Sequence, residues 1–275
     1  MISKAIGSLL ACALLLAAEP TWAENAAARM HGARPDAHFV LEPEAIGRPF
    51  NIFVRLPEGY EDTDASYPVV YVLDGGTLFP LFVPYYRLVG INEALPEAII
   101  VGIGYPGTTF AEGNYRGTDY TAPSAERDYY GGAPRFQTFL ADELLPLIEA
   151  RYRTDRTRRI IFGQSLGGQF VLYTALTRPN LFWGHIASNA AIHGNAERFL
   201  AMEPGTANGE SHLFLANAEF DDARFAEPRD RWLAAWADRK GRPWRFGVQR
   251  FEGEYHAGLA PLAFRAGMRW LFPAD

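Results

Sequence analysis

The stretch Arg159-Ile160-Ile161-Phe162-Gly163-Gln164-Ser165-Leu166-Gly167-Gly168-Gln169-Phe170 constrains this chain more than any other. A short apolar run halts at G-Q-S-L-G-G, and apolar residues resume at helical spacing with Phe170, Val171, Leu172, Ala175 and Leu176. Strand, sharp turn and helix follow one another, with a serine at the apex. Glycines at positions −2 and +2 from Ser165 are expected to let strand and helix approach where a Cβ would clash. Such a strained turn lifts the Ser165 hydroxyl clear of a sheet. It also leaves the Leu166 N–H free at a helix N-terminus, where developing negative charge is favoured. With seven serines and 26 glycines in 275 residues, G-x-S-x-G arises by chance about 0.06 times per chain, so the weight rests on its strand-to-helix context.

The flanking sequence supplies that context. Residues 69–73 and 98–103 are continuous β-branched and aromatic runs, as strands buried on both faces should be. Between them, residues 79–95 are apolar enough for a crossover helix, although Pro80 and Pro84 obscure its start. Residues 39–41 and 50–56 read as a hairpin, and 136–152 as an amphipathic helix bent at Pro146. Strands are expected at 183–188, 212–216 and 244–251, and helices at 231–240 and 260–271. This alternation predicts an α/β fold with a mostly parallel central sheet flanked by helices and no separate large lid domain. One domain covers 39–275. Residues 105–134, rich in Gly, Pro, Thr, Tyr and Arg, form a loop long enough to be read as the rim of a site.

A net charge of −6 without a basic block argues against nucleic acid and an anionic membrane surface as partners. Residues 1–23 read as a secretory signal, with Lys4 before an apolar stretch and Thr21-Trp22-Ala23 as a small-residue exit. The single cysteine, Cys12, lies within that stretch. The apolar run continues past it, which argues against a lipoprotein cleavage box. Residues 24–38 read as a flexible lead-in. No other segment approaches the ~20 apolar residues of a membrane span, so the mature chain is expected to be periplasmic or secreted and not membrane-inserted. There is no H-E-x-x-H, no paired Cys and no clustered His, and neither a metal nor a cofactor is expected.

A serine hydroxyl is a poor nucleophile at neutral pH and needs a base, itself oriented by a third group. In a strand–turn–helix arrangement of this kind the partners follow in the order Ser, acid, His, each after a later strand. His31 and His38 lie in the lead-in, His185 and His212 within strand-like runs, and His193 in a loop where it could line a pocket. Only His256 follows the last strand and directly precedes the final helix, the slot of a general base. For the acid, Glu219, Asp221 and Asp222 all follow the strand near Ala216. The spacing from Ala218 favours Asp221, with Glu219 and then Asp222 as alternatives. The oxyanion donors are expected to be the N–H groups of Leu166 and of Gly76 in the turn Asp74-Gly75-Gly76.

Several segments together resemble one family. They are Tyr71-Val72-Leu73-Asp74-Gly75, Val101-Gly102-Ile103-Gly104-Tyr105 and Arg116-Gly117-Thr118-Asp119-Tyr120-Thr121, then Gly131-Gly132-Ala133 with 139–152, then 162–168 and Gly253-Glu254-Tyr255-His256. The chain is similar to the putative-esterase family of α/β hydrolases, nearest its enterochelin (siderophore) esterase branch. The resemblance implies an α/β-hydrolase fold and catalysis by Ser165 and His256. It also implies a substrate-facing loop holding Arg116 and Tyr120, with His193 nearby, and a catecholate lactone as ligand. Two features depart from that branch. Gln164 stands where it usually has His, a change expected to face away from the chemistry. Ser188-Asn189-Ala190-Ala191-Ile192-His193 stands where it tends to have Ser-Pro-Ser and then tryptophans, which weakens the case for a flat substrate. Arg116 has a second reading as a structural partner of Asp119. The function expected is therefore a serine carboxylic-ester hydrolase working through an acyl-enzyme on a siderophore-like lactone or other small ester. The alternatives are an acyltransferase of the same fold or a non-catalytic binding homologue.

Overall fold

The computed structural model describes residues 35–274. The expected signal, residues 1–23, and most of the lead-in, including His31, lie outside the described residues. Eight strands, β1 (Ala37–Leu41), β2 (Phe50–Arg55), β3 (Tyr67–Leu73), β4 (Ile99–Gly104), β5 (Thr154–Gln164), β6 (Gly184–Ser188), β7 (His212–Phe220) and β8 (Arg245–Tyr255), form one sheet in the order β1-β2-β4-β3-β5-β6-β7-β8. Pairings from β4 through β8 are parallel, and β1 and β2 add an antiparallel edge. This is the mostly parallel sheet of an α/β-hydrolase fold. The lead-in is shorter than expected, because β1 already contains His38, whose ring stacks on Phe53.

Alternation along the central strands divides the core into two. Val69, Tyr71 and Leu73 of β3 face one layer, and Val70 and Val72 face the other. The first layer is closed by α3 (Ala133–Phe139), α4 (Leu145–Arg151), α5 (Leu166–Thr177) and α7 (Ala223–Ala237), with Phe136, Phe170 and Trp232 fully buried. The second is closed by α1 (Gly75–Gly90) and α8 (Ala260–Leu271) through Phe82 and Phe264, whose rings stack at 4.4 Å. Each large apolar side chain taken from water contributes about 1.5–3 kcal/mol. Two short helices, α2 (Arg116–Asp119) and α6 (Ala196–Ala201), lie in connections. Helix α5 buries nearly every residue, as a helix wedged between sheet and neighbouring helices must.

Three elements depart from the sequence reading for physical reasons. Helix α1 begins at Gly75, ahead of both prolines, because Pro80 and Gly76, whose carbonyl Pro80 leaves without a partner, are both exposed. The expected helix at 136–152 is interrupted by a π-helical turn, Leu140–Leu144, in which the Leu145 N–H reaches back to the Leu140 carbonyl. Pro146 stands where that wider turn ends, so its missing N–H is absorbed there. Helix α7 begins at Ala223, not near 231. Asp222 caps it by accepting from the Arg224 N–H at 2.8 Å, and the charged residues of its first turns hide the amphipathic period.

Candidate active site

Five residues converge because the strands that precede them are parallel. Asp74, Ser165, Asn189, Asp221 and His256 each stand one residue past the end of a strand, β3, β5, β6, β7 and β8 respectively. All five are therefore delivered to the same edge of the sheet, where sites in such folds form. Three of them, Asp74 (φ 54°), Ser165 (φ 60°) and Asn189 (φ 43°), are the non-glycine residues with positive φ among the described residues. Strain of this kind persists only where the surroundings hold it.

At the turn after β5, Ser165 adopts φ 60°, ψ −115°. Its N–H donates to the Ser188 carbonyl at 2.9 Å, and its own carbonyl accepts from Gln169 and Ala191. A Cβ on Gly163 would collide with the Gly167 carbonyl, and one on Gly168 would lie 2.7 Å from the Ser188 oxygen. Gly167 itself has room for a Cβ, its nearest neighbour being 3.5 Å away. The close approach thus depends on positions −2 and +3 from the serine, not −2 and +2. Leu166 is the first residue of α5 and Gly76 the second of α1, so neither N–H has a partner within its helix. Gly104 allows the Gly76 strand-end turn to come close, since a Cβ on Gly104 would lie 2.9 Å from the Gly76 nitrogen.

His256 is held at both ring and backbone. Its Nδ1 lies 2.8 Å from Asp221 Oδ1, and a carboxylate there fixes the proton on Nδ1 and leaves Nε2 free to accept. Its backbone carbonyl accepts from Gln164 Nε2 at 2.5 Å and from Asn189 Nδ2 at 2.9 Å. Asn189 is in turn fixed by the Ala218 N–H, which donates to its Oδ1 at 2.8 Å. The second oxygen of Asp221 accepts from Arg229 of α7 at 2.7 Å, with the Asp221 side chain 0% and that of Arg229 2% exposed. The Phe225 ring lies 4.9 Å from that of His256, and His193 packs on Phe225 from beyond. Burial holds the His193 imidazole below the usual histidine range, and the charges of Arg224, Arg127 and His256 act in the same direction against Glu126.

Glu219 accepts the Gly253 N–H at 2.8 Å and Asp222 caps α7, so neither alternative acid is the partner of His256. Arg116 forms a bidentate pair with Asp74, both bonds 2.9 Å, and donates to the Gln164 carbonyl at 3.1 Å. Its partner is therefore not Asp119, which binds Arg48 and the Tyr105 hydroxyl instead. The guanidinium expected to face substrate braces the turn before Ser165 against the turn before Gly76. Tyr120 is also corrected: it is fully buried, and its hydroxyl accepts the Asp74 N–H at 3.3 Å. Trp232 and Trp236 are buried as well. Gln164, expected to face away, instead reaches His256. Gln164, Asn189 and Arg229 went unnoticed as site residues, and the only signal for the first two is their place at strand ends.

Beside Gly76 a pocket of about 240 Å³ opens between Asp74, Thr77, Thr108, Phe110 and Asn114. Its outer wall closes on itself: Thr108 N–H donates to Glu112 Oε2 at 2.9 Å and Asn114 Nδ2 to the Phe110 carbonyl at 2.7 Å. A larger hollow of about 500 Å³, near Leu95, Trp183 and Phe272, lies at the opposite end of the strands and touches none of these residues.

Fold and site together define a hydrolase of the α/β class. The chain belongs to the family described as "Putative esterase", which matches residues 43–246. Among known proteins it is similar to the ferri-bacillibactin esterase BesA of Bacillus subtilis, 29% identical over 254 residues that span 83% of this chain and 86% of that protein. It is also similar to the siderophore triacetylfusarinine C esterase of Aspergillus fumigatus, 32% identical over 58% of this chain and 56% of that protein. Among solved structures, the BES protein of Bacillus cereus superposes with a TM-score of 0.72 at 25% identity, over 86% of this chain and 94% of that one. Membership and relatives support ester-bond hydrolysis as the activity.

Proposed function

We propose that this protein hydrolyses small carboxylic esters through an acyl-enzyme, with Ser165 as nucleophile, His256 as general base and Asp221 as the group that orients the imidazole. In this reading Ser165 Oγ attacks the ester carbonyl while His256 Nε2 takes its proton. The oxyanion is received by the N–H groups of Leu166 and Gly76, each able to stabilise it by about 3–4 kcal/mol. Collapse expels the alcohol, protonated by His256, and a water deprotonated by the same imidazole then releases the acid. The observation that carries the reading is the double hold on His256. Gln164, adjacent to Ser165, donates to its carbonyl, while Asp221 receives its Nδ1 at 2.8 Å. The substrate class proposed is a siderophore-type lactone or a related small ester, as the names of the relatives suggest. The pocket beside Gly76 would take one arm of such a substrate. Export follows from the signal-like residues 1–23, and among the described residues no helix is long and apolar enough to cross a membrane.

The test is turnover of aryl esters of increasing acyl length, and of a catechol trilactone, by wild type and Ser165→Ala. With folding intact, the substitution should lower kcat by up to ~10⁶, the scale of triad loss. An unchanged rate rejects the assignment.

A further inference from the structure

We propose that Arg229 is a positioning residue that sets the pH window of the site by holding and neutralising Asp221. This inference rests on the proposed roles of Ser165, His256 and Asp221. The carboxylate of Asp221 is fully buried and divided between two donors, with Oδ1 on His256 Nδ1 and Oδ2 on Arg229, and Arg229 is itself buried. A carboxylate facing only an imidazole would favour the imidazolium strongly and keep it protonated to higher pH. A guanidinium on its other oxygen offsets that charge, so the imidazole gives up its proton more readily. The same bond fixes the carboxylate rotamer and aims Oδ1 at Nδ1. The Arg229 side chain comes from the second turn of α7, whose start is set by the Asp222 cap, so helix and acid are locked together within a few residues.

The other charged groups around His256 do not supply this offset. His193 lies beyond the Phe225 ring with Arg127 and Glu126 around it, and Arg224 stands over the same ring at 4.4 Å but is exposed to water. On the serine side Arg116 is neutralised by its bidentate pair with Asp74, and the groups on the His256 carbonyl, Gln164 and Asn189, are uncharged. Among these groups only Arg229 bonds directly to the carboxylate that faces the imidazole.

The experiment measures kcat/KM against pH on a neutral aryl ester such as p-nitrophenyl butyrate. It compares wild type with Arg229→Gln, Arg229→Met and Arg229→Lys, the Gln and Lys changes also being made in an Asp221→Asn background. Loss of the charge should move the acid limb to higher pH by about one unit, since a neighbouring charge shifts a titration on that scale. Arg229→Lys should bring the limb back towards wild type. In the Asp221→Asn background Arg229→Gln should move the limb less, because only the direct field of the guanidinium on the imidazole is then removed. The inference is overturned by a wild-type limb in Arg229→Gln, or by an equal shift in the Asp221→Asn background. If Arg229→Met fails to fold, the Gln and Lys pair decides, because Gln keeps a donor and drops only the charge. Ser165→Ala, assayed alongside, separates the two levels. Retained turnover there removes the underlying reading, whereas lost turnover with an unmoved Arg229→Gln limb removes only the role of Arg229.

Discussion

Gln164 donates its side-chain amide to the backbone carbonyl of His256 at 2.5 Å, so the residue adjoining Ser165 grips the residue that arrives from the far end of the chain. Asn189 donates to the same carbonyl at 2.9 Å. The imidazole is thus located by two amides from the ends of neighbouring strands as well as by a carboxylate.

Removing the first grip should therefore be felt in turnover. Gln164→Leu keeps the side-chain volume and deletes a hydrogen bond worth about 1 kcal/mol, which corresponds to a fall in kcat of about fivefold. KM should stay near wild type, because Gln164 positions the base and is not placed to touch substrate. Steady-state kinetics on an aryl ester reads both quantities. A rise in KM with kcat preserved would move Gln164 to the substrate side of the site.

The three acids near the end of β7 are separable by kinetics. Asp221→Asn should lower kcat by about 10⁴, the scale seen when the orienting carboxylate of a triad is lost. Glu219→Gln should leave kcat near wild type, since Glu219 serves the Gly253 N–H. Asp222→Ala should cost about 1 kcal/mol of stability as a lost helix cap, read in urea, with turnover retained.

The turn around Ser165 makes opposite demands on two of its glycines. Gly163→Ala forces a Cβ into the Gly167 carbonyl and should abolish activity or folding. Gly167→Ala meets its nearest neighbour at 3.5 Å, an ordinary contact, and should be tolerated with a gain of up to about 1 kcal/mol in helix stability. Soluble yield and thermal unfolding of the two variants test the contrast, and equal damage from both would contradict it.

His185 introduces a pH dependence away from the site. It is fully buried in β6 with Nδ1 3.1 Å from the His212 carbonyl, and burial lowers its titration from 6.5 to about 4. A depressed histidine is neutral in the fold while the unfolded chain takes up a proton. Its contribution is therefore complete above the unfolded value of 6.5 and is lost as pH falls towards 4, an effect on the order of 3 kcal/mol for one group. Urea unfolding at pH 7 and pH 4.5 should show wild type losing more stability than His185→Gln. An identical loss in both would assign the acid sensitivity elsewhere.

The parts of this molecule legible in its sequence are those that depend on neighbours along the chain. The Ser165 turn is written in local glycines, the strands in continuous apolar runs, and the candidate base in the place of His256 after the last strand. Apart from Asp221 and His256, which the order of the strands points to, pairings between distant residues are not legible. Arg116 has Asp119 three residues away, yet it binds Asp74, because the β3 turn brings a buried carboxylate to it and Arg48 and Tyr105 already occupy Asp119. Tyr120 reads equally well as a pocket wall or as core, and the packing of Phe136 and Phe170 around it makes it core. Arg229 is hidden for a related reason. A charged residue early in a helix looks solvated until the buried acid it neutralises is known.

The wall of the small pocket, residues 107–114, bonds chiefly within itself and meets the strand ends through Asn114, whose Oδ1 accepts the N–H of Arg116, the residue that braces Asp74. What is admitted and what is done to it are thus carried on separate parts of the chain. A transplanted wall of different length or polarity that keeps Asn114 would change the guest and leave the workbench standing.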